Sequence, residues 1–251
     1  MTLRNPDREA VAHGHITNEP IRQKPGVPSW VLKLIMAVTG LLFALFVVGH
    51  MAGNLKLYLP AHGGEEALDE YGAFLRSMGE PLFPHEGLLW IIRAVLLVAI
   101  IAHIYGAFAL TARSKASRGK FRRSNLMGGL DSFATKSMLV SGIVLLLFII
   151  FHLLDLTMGV QPIAPGDFVE GAVKANMIAT FSRWPVTIVY VIAMCFLFLH
   201  LTHGIRLAAS DLGITGAKWR QTFLILAYVI PAVVCIGNIV MPLSVALGLV
   251  S

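Results

Sequence analysis

Residues 133–157 read FATKSMLVSGIVLLLFIIFHLLDLT, and only Lys136, His152 and Asp155 among them are ionisable. About 20 helical residues cross the hydrocarbon core of a bilayer. Lipid offers no hydrogen bonds to open backbone groups, so a segment of this kind must be an α-helix. Four further stretches have the same character: Trp30–Leu59, Leu88–Ala112, Pro185–Ala208 and Gln221–Val250. The fold predicted is an all-α integral membrane protein, with five transmembrane helices in a bundle over residues 29–251, after a polar tail over residues 1–28. Pro185 falls in a first helical turn, where a missing N–H costs nothing. Pro231 lies inside the fifth span and predicts a kink. The linear sequence shows no evident repeat and no low-complexity tract.

Composition agrees. The 251-residue chain is 56% hydrophobic and 14% charged, with a mean hydropathy of +0.74, whereas soluble domains carry about 25% charged residues. This excludes an ordinary water-soluble enzyme, and no nucleic-acid partner is expected. Residues 1–28 lack an apolar h-region and a cleavage pattern, so they are not read as a signal peptide. Cys195 and Cys235 lie within apolar runs and form no CxxC motif; small buried side chains account for them.

The loops give an orientation. Arg113, Lys115, Arg118, Lys120, Arg122, Arg123 and Lys136 surround the second connection against Asp131, and Arg206, Lys218 and Arg220 surround the fourth against Asp211. The first connection is acidic, with Glu65, Glu66, Asp69, Glu70, Glu80 and Glu86 against Arg76, and the third has only Lys174 and Arg183 as basic residues. Basic loops remain cytoplasmic, which predicts a cytoplasmic N-terminus and an outer C-terminus. Trp30, Trp90, Trp184 and Trp219 fall near span starts, as an interfacial aromatic belt requires.

His13, His15, His62 and His85 lie in tails or loops, but His50, His103, His152, His200 and His203 lie within spans. Ionisable groups in a bilayer are costly and mark function. His50 lies six residues before Lys56, and His152 three before Asp155, so both belong near the outer face. The second and fourth spans run inward, with His103 ten residues before Arg113 and His200 six before Arg206; ten residues is about 15 Å of helix. The four thus sort into an outer pair, His50 with His152, and an inner pair, His103 with His200. Neutral imidazoles at matching depth on different helices suit an iron held from both sides.

The faces beside these histidines carry small residues: Ala99, Gly106 and Ala107 near His103, Gly53 near His50 and Gly204 near His200. They admit a flat macrocycle or equally a neighbouring helix. His203 shares the face of His200, and spacing alone leaves it as a rival ligand, a propionate contact or a contact to a quinone or partner. Arg93 has two readings, a propionate partner or a snorkelling anchor. Lys33 and Lys136 read as lipid-facing anchors, Asp155 as a proton-transfer group or a wet helix end, and Asn238 as interhelical glue.

The runs VGHMAGNLK at His50, RAVLLVAIIAHIYGAF at His103, IIFHLLDLT at His152 and LHLTHGIRLA at His200, with FLRSMGEPLFPHEGLLW between the first two, resemble one family. It is the cytochrome b membrane subunit of succinate dehydrogenase, in the five-span, single-subunit form of actinobacteria, related to the Bacillus-type and fumarate reductase anchors. The resemblance covers about residues 28–250. It implies a multi-pass subunit of a bacterial cytoplasmic membrane that binds two b haems. Their axial ligands would be His50 with His152 at the distal haem and His103 with His200 at the proximal one; His200 is favoured over His203. It also implies a FAD flavoprotein and an iron-sulfur subunit docked on the basic cytoplasmic face, with a higher oligomer of the complex left open.

The activity implied is quinone reduction, with menaquinone as substrate. His85, Glu86, Trp90, Arg93 and Asp155 are the candidate quinone residues, and Arg93 also a candidate for cofactor contact. Some fumarate reductase relatives carry a glutamate two residues before the fourth ligand; here Phe198 stands there. Two alternatives remain at this stage. One is the cytochrome b anchor of another quinone-linked dehydrogenase. The other is a Rieske-like 2Fe-2S cluster in place of haem, held by Cys195, Cys235 and two of the histidines.

Overall fold

The computed structural model describes residues 26–61, 63–118 and 130–250. His13, His15, His62, Lys120, Arg122 and Arg123 lie outside the described residues, as does most of the polar tail, and nothing is described of the side chains of Arg118, Asp131 and Lys136. The described residues form seven α-helices: α1 (Ser29–Asn54), α2 (Ala67–Ser77), α3 (Gly87–Arg118), α4 (Leu130–His152), α5 (Val173–Phe181), α6 (Trp184–Asp211) and α7 (Ala217–Ala246). A 3-10 turn, Leu55–Tyr58, extends α1, and a π turn, Leu153–Thr157, extends α4. Among the described residues five helices are long and apolar enough to cross a membrane: Ser29–Tyr58, Gly87–Ser117, Ser137–Thr157, Trp184–Asp211 and Ala217–Ala246. They correspond to the five stretches legible in the sequence, and the fold is all-α.

Helix α6 is the axis of the bundle and packs against α7, α4 and α1, while α3 packs on α1. Small side chains make these approaches close. A Cβ on Gly106 of α3 would meet Met36 Sδ of α1 at 2.9 Å, and one on Gly237 of α7 would meet Met51 Sδ of α1 at 2.7 Å. The outward faces are apolar, with Leu45, Leu97, Val98, Leu147 and Ile236 among the most exposed, as a lipid-facing surface should be. Pro231 and Pro242 both lie within the continuous helix α7 and are buried.

Polar contacts gather at the two ends. At one end, Arg113 Nη1 donates to Ser29 Oγ at 3.0 Å, and Lys33 Nζ to Asp211 Oδ1 at 3.3 Å. Lys33, expected to face lipid, instead ties α1 to α6, although half its side chain remains exposed. At the other end, the short helices α2 and α5 cap the bundle. Lys174 joins them through its Nζ to Glu66 at 3.1 Å and its backbone N–H to Asp69 at 2.8 Å. Below this cap, Leu57, Leu68, Met177, Phe181, Tyr190, Met241 and Val245 form a buried apolar cluster. Asn238, expected to bridge helices, donates to Val234 O of its own helix at 2.9 Å.

Candidate functional site

The four histidines meet in the two pairs read from depth. The rings of His50 (α1) and His152 (α4) have centres 5.8 Å apart, nearly perpendicular at 84°. Those of His103 (α3) and His200 (α6) are 6.3 Å apart at 56°. The helices bearing each pair, α1 with α4 and α3 with α6, are not close-packed against each other, so the imidazoles reach across a gap. It is His200, not His203, that faces His103.

This separation has a chemical meaning. A metal–imidazole bond is about 2.0–2.1 Å and a ring nitrogen lies roughly 1 Å from its ring centre, so two imidazoles sharing one metal have centres about 6 Å apart. Both pairs fit that dimension. Among the described residues no group of three or more His, Cys, Asp or Glu converges on a common point. Each pair therefore offers two axial nitrogens and no equatorial protein ligand, which is the donor set of an iron already held by a macrocycle.

Hydroxyl groups fix the rings. Thr39 Oγ1 on α1 donates to Ile35 O at 2.6 Å and lies 2.9 Å from His103 Nδ1. In the Nδ1–H tautomer the ring gives its proton to Thr39 Oγ1, whose own single proton goes to Ile35 O. Ser141 Oγ on α4 repeats the arrangement, donating to Met138 O at 3.0 Å and lying 3.1 Å from His200 Nδ1. Tyr190 OH on α6 donates to Asp155 Oδ2 at 3.1 Å and lies 3.2 Å from His152 Nδ1. In that tautomer each of the three rings leaves Nε2 without a proton and able to accept a metal, the outer-shell orientation that metal-binding histidines use. His50 is oriented by stacking on Phe46, with ring centres 5.4 Å apart and planes within 13°.

Of the three glycines beside the histidines, only Gly204 borders the inner pair. Gly53 faces Tyr71 and Gly106 faces Met36, so both serve packing. Clearance comes from Gly40, where a Cβ would lie 3.5 Å from His103 Cε1, and Gly142, where it would lie 3.4 Å from His200 Cε1. Gly40, with Gly204, Met36 and Met138, lines a cavity beside the inner pair.

Thr39-Gly40 and Ser141-Gly142 expose a repeat that the linear reading missed. In both α1 and α4 a hydroxyl–glycine pair is followed by a histidine eleven positions after the hydroxyl, His50 and His152. Eleven residues are about three turns, or about 16 Å. Each helix thus supports the inner pair with its hydroxyl and glycine, and supplies one ligand of the outer pair.

The remaining candidates divide into separate clusters. Glu86 accepts from Arg76 Nε at 3.4 Å and stands 4.0 Å from Arg93 Nη1; Arg93 lies over the Trp90 ring at 4.7 Å. The Arg93 guanidinium thus lies between an aromatic face and a carboxylate. His85 is exposed and pairs with Glu80 at 3.0 Å. Asp155 does not join them. It is fully buried, and its oxygens take hydrogen bonds from Arg183, Thr180 and Tyr190. Its partner Arg183 reads from sequence only as a loop charge.

Cys195 and Cys235 line an apolar groove with Met194, Phe198, Leu199 and Ile239, and no histidine shares it. Cys235 Sγ donates to Met194 O at 3.2 Å. The two cysteines and two histidines of a Rieske-type site are not brought together among the described residues, so the chain does not fit that alternative.

Fold and site together describe an all-α protein with five helices long and apolar enough to cross a membrane and two facing pairs of histidines along the bundle. Residues 121–237 match the family model of the succinate dehydrogenase/fumarate reductase transmembrane subunit. Neither a curated protein nor a solved structure matches the chain. The matched stretch contains His152 and His200. His50 and His103, outside it, are the residues that the structure places opposite them.

Proposed function

We propose that the chain is the membrane anchor of a succinate dehydrogenase or fumarate reductase. It would hold two b haems, through His50 with His152 and His103 with His200, and link an iron-sulfur partner on the basic face to a quinone. The observation that carries this reading is the pair of imidazole separations, each sized for one shared metal. The family match to residues 121–237 supports the assignment to this complex rather than to the anchor of another dehydrogenase. It also supports a flavoprotein and an iron-sulfur subunit as partners.

A b haem bound at such a site supplies one-electron exchange. The chain contributes position and environment. Thr39, Ser141 and Tyr190 hold the ligand rings by their Nδ1 protons, and Gly40 and Gly142 leave the inner rings room. The roughly 16 Å offset between ligand levels covers about half of a 30 Å hydrocarbon core. Transferring charge over that depth is coupled to the membrane potential, at about 2.3 kcal/mol per elementary charge per 100 mV for the full thickness.

For the quinone, the Arg76, Glu86, Trp90 and Arg93 cluster at the start of α3 supplies a half-exposed aromatic face with hydrogen-bond donors beside it. Menaquinone is the substrate this reading favours.

A dithionite-reduced minus oxidised spectrum of the purified complex, with a haem-to-protein ratio, tests the proposal. The expected result is b-type bands and two haems per chain. A complex that oxidises succinate with no b-type bands overturns it.

A further inference from the structure

The three hydroxyls that orient the ligand rings differ in where their own proton goes. Thr39 and Ser141 give theirs to neutral backbone carbonyls, Ile35 O and Met138 O. Tyr190 gives its proton to a carboxylate that has no exposed surface, Asp155. The π turn that follows His152, closed by Met158 N–H to Leu153 O at 2.8 Å, carries Asp155 inward. There Arg183 Nη2 donates to Oδ1 at 2.6 Å, and Thr180 Oγ1 donates to the same oxygen at 3.3 Å. Arg183 Nη1 is itself fixed on Ile163 O at 2.7 Å. The cation and Thr180 therefore hold one carboxylate oxygen, and the other is turned to Tyr190.

We infer that Asp155 acts through Tyr190 as a positioning residue that strengthens His152 as an electron donor, giving the outer site a lower reduction potential than the same ligands would otherwise produce. A carboxylate draws the Tyr190 proton toward itself and leaves the phenolic oxygen a better acceptor. That oxygen in turn polarises the His152 Nδ1–H bond, since linked hydrogen bonds reinforce one another. A more polarised Nδ1–H makes Nε2 the more basic ligand. A more basic axial ligand favours the oxidised metal. At the inner pair the hydroxyl protons go to backbone carbonyls instead, so the same ligand type is tuned differently at the two levels. This inference rests on the dihaem reading.

The test is a redox titration of the intact, purified complex, followed optically and by the low-spin haem signals in electron paramagnetic resonance. Tyr190→Phe removes the hydroxyl and leaves the ring packed among Phe148, Phe151 and Phe181. One b component should move to a more positive potential, by about tenfold in its ferric-to-ferrous equilibrium (59 mV for one electron), and the other should stay. Ser141→Ala should move the other component instead, which assigns the two.

Asp155→Asn keeps the shape, removes the charge and should shift the same component as Tyr190→Phe, so the proposal stays testable if either variant fails to assemble. Two components that keep their potentials and resonance signals in both variants overturn the inference alone. A wild-type complex without two b components overturns the dihaem reading, and the inference with it.

Discussion

Ser141 Oγ lies 3.1 Å from His200 Nδ1 and gives its own proton to Met138 O. The contact joins α4 to α6, and in the Nδ1–H tautomer of His200 it leaves Nε2 for a metal. Removing an outer-shell partner of a ligating histidine lowers metal affinity by about 10–100-fold. Ser141→Ala should therefore weaken haem retention at the inner site by about that factor while sparing the outer site, and Thr39→Ala should do the same through His103. Haem content after graded detergent washes, or haem titration of the apo complex, reads the effect. Loss of both haems in equal measure would show a general folding defect instead.

Gly142 and Gly40 lead to a graded prediction. A Cβ at either position would make ordinary van der Waals contact with an imidazole carbon, at 3.4 and 3.5 Å. Gly142→Ala should keep haem near wild-type content. Gly142→Leu extends into the His200 ring and should abolish the inner haem, and Gly40→Leu should do so through His103. Equal haem content in the alanine and leucine variants would contradict the clearance role.

The sequence carries the spans plainly because lipid forces apolar helices of fixed length, and Trp30, Trp184 and Lys218 lie near boundaries that proved real. The histidine pairing was legible for the same reason. Depth along a membrane helix is a one-dimensional coordinate, and loop charge sets its direction. What ring each hydroxyl touches was not legible. Thr39 and Ser141 look like ordinary small polar residues in an apolar run, and their role depends on the rotation of α1 against α3 and of α4 against α6. The signal that could have found them is the shared spacing, hydroxyl–glycine and then histidine after eleven residues, in two spans. Asp155 stands out in the sequence as unusual but groups there with Glu86 and Arg93 at the start of the second span, because a π turn that carries it into the protein has no signature in a run such as LLDLT.

Orientation is a separate expectation. With basic residues flanking the second and fourth connections, the end of the bundle that holds Lys33 and Asp211 should face the cytoplasm. The Lys174 cap should then face outward. A reporter active only outside the cytoplasm, fused after Ser251, should be active, and the same reporter fused near Lys115 should be silent. The reverse pattern would invert the levels, putting the His50–His152 pair on the cytoplasmic side.

Arg183 should be the most sensitive residue outside the ligand set. Asp155 has no exposed surface, and Arg183 is its cationic partner at 2.6 Å, with about a third of the arginine side chain exposed. Removing one partner of a buried ion pair leaves an uncompensated charge and costs about 3–5 kcal/mol, whereas removing both charges together costs far less. Arg183→Met alone should lower the unfolding temperature of the detergent-solubilised complex substantially. Adding Asp155→Asn should restore much of it, because the carboxylate that needed the cation is gone. Non-additivity of this sign, read from thermal melts of the two single variants and the double, is the outcome that a coupled pair requires. If the losses simply add, Arg183 acts through its hydrogen bond to Ile163 O and not through the charge on Asp155.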